Sequence, residues 1–361
     1  MFRVYSQEFY DNKSLKEEFE NRYISCLVKK AKNAFVKENI SDTESCSLYD
    51  FCNTKLQTLL IKYPQHNLPN SFEKLLILPP KEIAKIYCEF SQNIDFQTDV
   101  IDNFSQIWRK GKKIKGKEFY KRDLLDYDFF SDTIAKHIID NEKEELYTIR
   151  TCVYCNRAYI NSYEVSKEIK KRQFDLDHFI PKKKCPLFAL SLYNLVPSCQ
   201  VCNSRIKNSK LYYEDIKNPS ILEKLFPTSE KYNYDKSLKF RIIPCKKIYE
   251  KFQKEFTEFK EMPDYFEIEF EKLNSDSQYY EKESEKENGF DILNRYNFHK
   301  KEFLSYIDKA RKYPLSYFLM WASNTSLSDA NDLREAIFNS KFRNEEKMIF
   351  QKIYNDIDSE L

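Results

Sequence analysis

Two Cys-x-x-Cys pairs, Cys152-Val-Tyr-Cys155 and Cys199-Gln-Val-Cys202, stand 43 residues apart in the sequence. Two thiolates at that spacing grip one metal ion through a tight turn, and two such turns complete a tetrahedral four-sulfur site suited to zinc. The residues between the pairs are then held in one zinc-stapled unit. Four protein ligands leave no open coordination position, so this Zn²⁺ is expected to be structural. The opposing reading is four buried free thiols. The other six cysteines, Cys26, Cys46, Cys52, Cys88, Cys185 and Cys245, show no such pairing and read as ordinary core or surface residues.

Composition narrows the rest. Glycine accounts for 3 of 361 residues while proline reaches 12, so left-handed turns and tight hairpins are few and the chain leans towards helix. No Walker-A or GxGxxG phosphate loop can be written with so few glycines. The 29 Phe and 26 Tyr can fill a large core, and the length suggests two compact units. Lys and Arg (60) nearly balance Asp and Glu (57), for a net charge of +3. That excludes a chain-wide polycation, and any anionic partner must be held by a local patch.

Such a patch is visible. Between Arg150 and Lys210 there are 12 basic and 4 acidic residues, a net of +8, which leaves −5 for the remainder. A four-thiolate zinc site would subtract about two charges, and the segment stays positive, as expected of a polyanion site. The first residues lack the apolar core of a signal peptide. No run approaches the 18 or so apolar residues a membrane helix needs. The expected location is cytoplasmic, with no membrane partner, where thiols are reduced and clustered cysteines point to metal.

The expected fold class is α+β: a mostly helical chain around a central zinc-stapled unit. Three stretches are distinguished: a helical region 1–147, the cysteine-bearing unit 148–216, and a mixed strand and helix region 217–361. In the first, Ser14-Leu-Lys-Glu17 reads as a capping box, followed by a helical stripe of Leu15, Phe19, Tyr23, Leu27 and Phe35. Pro64, Pro69, Pro79 and Pro80 punctuate a connection. Phe129, Ile134, Ile138 and Leu146 form another helical stripe. Between them, Arg109 to Lys117 holds five lysines from 110 to 117 and two glycines. It reads either as a solvated flexible loop or as a phosphate-contacting arm. In the last region Leu238–Ile243 and Tyr265–Phe270 alternate as pairing strands. Glu281–Gly289 reads as a charged surface loop. Helix is expected from about Lys300, with a break at Pro314, and again from about Ser328.

The chemistry lies between the cysteine pairs. Phe174-Asp-Leu-Asp-His178-Phe-Ile-Pro reads as a strand running into a loop. Leu192-Tyr-Asn194-Leu-Val-Pro-Ser-Cys199 follows, then Cys202-Asn203-Ser-Arg-Ile-Lys207 on a helix, with Asn203 and Lys207 on one face. Phosphodiester cleavage needs a base to activate water, a hard cation on the scissile phosphate, and oxygen ligands for that cation. His178, Asp177 and Asn203 can supply them. Taken alone, Asp177 is a solvated acid and His178 a structural histidine. Strict alternation puts the two on opposite strand faces, so the functional reading requires the strand to end or twist there. Asp175 is assigned no role, and His66, His137 and His299 read as structural. Lys182-Lys183-Lys184 stays open between a backbone grip and a solvated loop.

Asp177-His178, Asn194 and Cys202-Asn203, flanked by the two cysteine pairs, resemble the HNH endonucleases with the ββα-metal fold and a four-Cys zinc, over about residues 150–215. That resemblance implies His178 as general base and Asp177 and Asn203 as ligands of a catalytic Mg²⁺ or Mn²⁺. It implies Asn194 as the residue tying the loop backbone so that His178 points correctly. Cys152, Cys155, Cys199 and Cys202 match the structural zinc positions, and Lys207 and Arg205 match residues that touch phosphate. The wording CVYCNRAYI and DLDHFIPK is also similar to HNH subunits of bacterial antiphage systems of the Septu type, in which such a nuclease works with an ATPase. The expected function is therefore a metal-dependent endonuclease hydrolysing DNA phosphodiesters in antiphage defence. The motif chemistry itself does not separate DNA from RNA. Its activity is expected to fall as His178 is protonated, nominally near pH 6.5. Two other classes compete: a non-catalytic zinc-stapled nucleic-acid-binding module, and a platform whose flanks bind a partner such as an ATPase or a sensor.

Overall fold

A computed structural model of the protein describes residues 3–114, 117–141, 150–166, 169–244, 264–286, 289–324 and 348–359. Leu146, Cys245, the Lys115-Gly116 pair and residues 328–347 of the helix expected from about Ser328 onward lie outside them, while Gln351–Asp358 is helical. The class is mixed helix with small antiparallel sheets, as composition and patterning suggest. Among the described residues no helix is long and apolar enough to cross a membrane.

The chain divides into two compact units. One comprises residues 3–149 and 160–233, and so groups 160–216 with the N-terminal helices. The other comprises 150–159 and 234–361 with the first two residues.

The first unit opens with α1 (Gln7–Asp11) and α2 (Lys13–Lys32). The N-cap of α2 is Asn12, whose side chain accepts from Leu15 N. Ser14 lies inside the helix, so the expected capping box does not form; Asn12 is the better placed of two neighbouring capping residues. Phe19, Tyr23 and Leu27 are buried along one face, and Ala31 completes the stripe. Phe35, expected there, has left the helix and is 47% exposed on a strand. That strand, β1 (Phe35–Lys37), belongs to a four-stranded antiparallel sheet with β2 (Cys46–Ser47), β3 (Gln106–Ile114) and β4 (Lys117–Asp123), in the order β2-β1-β3-β4. Of the lysine-rich stretch 109–117, residues 109–114 and 117 are thus not a loop but part of a strand pair. Helices α3 (Leu48–Lys62), α4 (Phe72–Leu76), α5 (Pro80–Gln92) and α6 (Ile94–Phe104) lie between β2 and β3 in sequence. Pro80 occupies the first turn of α5, where its missing N–H costs nothing.

Helix α7 (Tyr127–Asp140) carries the expected stripe, with Phe130, Ile134 and Ile138 buried, and packs on α2. His137 lies 4.5 Å from the Phe19 ring, ring centre to ring centre. Strands β5 (Ser162–Ser166) and β6 (Ile169–Arg172) form a hairpin, and β7 (Asp175–His178) pairs with β8 (Leu195–Ser198). A π-helical turn, Val201–Lys207, and α8 (Pro219–Leu225) follow.

In the second unit β9 (Leu238–Pro244) and β10 (Phe266–Lys272) pair antiparallel over seven residues, as alternation predicts. Ser277–Ser284 is helical, so the first part of the stretch expected to be a charged loop continues a helix. Lys300–Lys312 is the helix expected to break at Pro314, and Leu315–Asn324 is a further helix directly after that break. Residues 150–159 fold back here: the Tyr296 hydroxyl donates to Cys155 O at 2.9 Å, and Tyr154 stacks on Phe290.

Candidate active site and four-cysteine centre

Local backbone chemistry shapes both cysteine turns. Cys152 N donates to Ala158 O and Asn156 N to Cys152 O. Asn156 adopts φ 47°, the left-handed region that asparagine tolerates better than most residues. Its fully buried side chain donates to Thr151 Oγ1 and accepts from Lys352 N, which fixes the turn. At the second turn Cys202 N points at Cys199 Sγ, 3.5 Å away, a contact that stabilises a thiolate. The four sulfurs of Cys152, Cys155, Cys199 and Cys202 lie within 4.8 Å of one another, and all four residues are buried. Sulfurs on a tetrahedron with Zn–S bonds near 2.3 Å stand about 3.8 Å apart. The geometry and the all-sulfur donor set therefore fit zinc, and the buried four-cysteine group can bind it.

Strand β7 ends at His178, in register opposite Leu195. Asn194, immediately before β8, is fully buried and spends its amide on the backbone that follows His178. Its Oδ1 accepts from Ile180 N at 2.8 Å, while Nδ2 donates to Ile180 O and Phe188 O at 3.1 and 3.0 Å. Phe179 N adds a bond to Asn194 O. The loop from 179 to 194 is thus closed onto one side chain. The N-terminal helices brace it from outside, with the Tyr23 hydroxyl on Leu190 O and Ser191 Oγ on Leu75 O, both at 2.8 Å. Tyr193 also bonds Glu20.

That loop orients His178. Its Nε2 lies 2.9 Å from Ala189 O, and a carbonyl can only accept, so Nε2 carries the proton and Nδ1 presents its lone pair. The ring of Tyr127 meets it edge-on at 4.8 Å. His178 is 9% exposed. Burial pushes its pKa down to about 3; the Ala189 bond opposes this, while the Lys182 and Lys207 ammonium groups add to it. The imidazole therefore stays neutral well below the nominal 6.5 expected from sequence, because that value belongs to a solvated ring.

The helical turn 201–207 lies along β7 and meets its two acids one by one. Asn203 Nδ2 donates to Asp175 Oδ2 at 3.1 Å. Lys207 Nζ reaches Asp177 Oδ1 and Oδ2 at 3.0 and 2.9 Å and His178 O at 2.6 Å. Asn203 and Lys207 thus share a face, as their spacing predicts, and that face is turned to the strand. Lys207, expected at phosphate, is 2% exposed and committed inside. Arg205 is exposed. Asn203 stands next to Asp175 rather than Asp177. Asp175 has no motif to mark it, although alternation places it on the same strand face as Asp177. Tyr127 has no sequence signal either, since it comes from a helix some fifty residues upstream. Lys182 and Lys184 pair with Asp128 and Glu214, and Lys183 is exposed.

No protein-family model matches the sequence, and no solved structure matches it. A 153-residue stretch is 27% identical to the Septu protein PtuB of Bacillus thuringiensis. The match covers 42% of this chain and 40% of that relative, so the chain spans well under half the length of the curated protein it resembles. The chain is a distant homologue of that Septu protein, and its buried four-cysteine centre fits such a system.

Proposed function

We propose that this chain is a metal-dependent HNH endonuclease, hydrolysing DNA phosphodiesters as the nuclease component of a Septu-type antiphage system that works with an ATPase. The observation that carries the reading is the His178 arrangement: a neutral imidazole with Nε2 fixed on Ala189 O, on a loop closed by Asn194. A base held in one tautomer and one orientation is what proton abstraction from water requires. Zn²⁺ in the four-cysteine centre is structural. A catalytic Mg²⁺ or Mn²⁺ would be held by oxygen ligands of Asn203 and the strand acids. Asn203 donates its Nδ2 to the Asp175 carboxylate, and a turn of that amide would set its oxygen beside the carboxylate, whereas Asp177 is engaged by Lys207. When bound, such an ion stabilises charge on the pentacovalent phosphorus and the departing oxygen. His178 Nδ1 takes the proton of the attacking water, and Asn194 keeps the ring from turning.

A second reading is favoured by one observation. The Lys207 ammonium already neutralises Asp177, the carboxylate that the resemblance assigns to the metal. On that reading the unit is a non-catalytic, zinc-stapled module that binds nucleic acid or a partner protein.

Incubation of the chain with plasmid DNA and Mg²⁺ or Mn²⁺, alone and with a Septu-type ATPase, separates the two. Chelator-sensitive cleavage is expected, and His178→Ala is expected to lower its rate by about 10²–10⁴-fold while leaving DNA binding intact. A mutant that cuts at the wild-type rate removes His178 from the mechanism. Binding without cleavage in every combination favours the second reading.

A further inference from the structure

We propose that the outward face of the β1-β3-β4 sheet is a docking surface for single-stranded nucleic acid. The register sorts its residues into two faces. Val36 pairs with Arg109, and Ile107 with Arg122; Val36 and Ile107 are buried, so this face looks into the unit. On the other face Lys37, Trp108 and Lys121 form one cross-strand row, and Lys110 with Phe119 the next. Each aromatic ring in these rows is thus flanked by lysine. Lys37 Nζ sits 4.8 Å from the Phe119 ring centre, and Phe35 adds a 47% exposed ring at the start of β1.

The charge of the β3-β4 strand pair is not balanced locally. Residues 106–123 hold eight basic side chains against two acidic ones. Among the described residues, Lys110, Lys112, Lys117 and Lys121 have no carboxylate at ion-pair distance, and Lys113 is 3.9 Å from the Glu118 carboxylate. A strand face that is merely solvated mixes signs and needs no tryptophan. Lysines spaced around rings are the arrangement that follows a phosphodiester backbone while bases stack. Single strands are favoured over duplex because the faces of paired bases are hidden in the stack, where Trp108 and Phe119 cannot reach them.

The platform is held in shape. A Cβ on Gly111 would come within 3.2 Å of the Tyr120 ring, so glycine lets that ring lie across the neighbouring strand. The Tyr120 hydroxyl accepts from Ile114 N and lies within hydrogen-bonding distance of the Lys112 and Lys117 carbonyls. From the inner face Arg109 pairs with Asp126 at 2.8 Å. Asp126 caps α7, and the next residue is Tyr127, whose ring meets His178. The surface is thereby joined to the candidate site within one unit. The inference rests on the nuclease reading only in taking the docked strand for what His178 acts on.

The test uses the full chain in EDTA, so that binding is read without cleavage. The probe is a fluorescein-labelled oligo(dT) of about 20 nucleotides, compared with a duplex of equal length by anisotropy over a range of salt. The single strand is expected to bind tighter. Trp108→Ala is expected to weaken it about tenfold, with most of the loss restored by Trp108→Phe. Lys110→Gln with Lys121→Gln, both at exposed positions and neutral to folding, is expected to flatten the logarithmic salt slope by about 1.4, or 0.7 per phosphate contact. Unchanged affinity and slope in the double lysine variant, or a preference for duplex that Trp108→Ala does not alter, overturns the proposal. If the oligonucleotide binds as expected but no nucleic acid is ever cut, the docking surface stands and the nuclease reading falls.

Discussion

Cys199→Ser is expected to empty the four-sulfur centre and unfold the segment around it. A serine oxygen is a poorer and harder donor than a thiolate, and three remaining sulfurs do not close the tetrahedron. Because a preformed site does not exist in an unfolded chain, the free energy of metal binding is folding free energy, about 10–16 kcal/mol for structural zinc. That is comparable with the whole stability of a domain. Losing even part of it removes the support of the β8 end and of the turn that carries Asn203, both adjacent to Cys199 and Cys202. Elemental analysis of the purified protein is expected to give one zinc per wild-type chain and markedly less for the variant. Limited proteolysis should then cut the variant between 195 and 210, where the wild type resists. A wild-type protein that is purified without zinc, yet resists proteolysis as well as a zinc-loaded sample, would falsify the structural-metal assignment.

Features set by short-range chemistry were legible in the sequence. Cys-x-x-Cys spacing is itself a local geometry, so the four cysteines could be grouped before any fold was known. The stripe Phe19, Tyr23, Leu27 and the alternation in 238–243 and 265–270 reflect periods that the backbone imposes on any buried face. Where two local signals competed, reading failed. Asn12 and Ser14 are both good caps, and Asn12 is used. The 106–123 strands were hidden because their outer face is lysine-rich, so the usual contrast of apolar and polar positions is blurred. Partnerships at the candidate site were less legible still. Alternation puts Asp175 and Asp177 on one strand face, but only the lie of the 201–207 turn decides that Asn203 meets the first and Lys207 the second. The depressed basicity of His178 depends likewise on burial supplied by residues far away in the chain.

Lys207→Met is expected to destabilise the first unit by about 3–5 kcal/mol. The ammonium and the Asp177 carboxylate are each 3% exposed at the side chain and touch through both carboxylate oxygens. Lys207 also satisfies the His178 carbonyl. Methionine fills a similar volume but leaves the Asp177 charge in a low-dielectric interior without the Lys207 ammonium, and the desolvation of that buried carboxylate, rather than the lost attraction, dominates the cost. Adding Asp177→Asn removes the buried charge, so the double variant is expected to recover most of the loss. For a unit of this size the single variant should melt roughly 10 °C lower in a thermal scan, with the double variant close to wild type. The same pair discriminates between two roles for Asp177. If Asp177 serves the fold through Lys207, the double variant keeps whatever cleavage the wild type shows. If Asp177 is a metal ligand, the double variant is stable and inactive. A Lys207→Met protein that melts with the wild type would mean that the ion pair is not buried as described, and Asp177 would then be open to a cation.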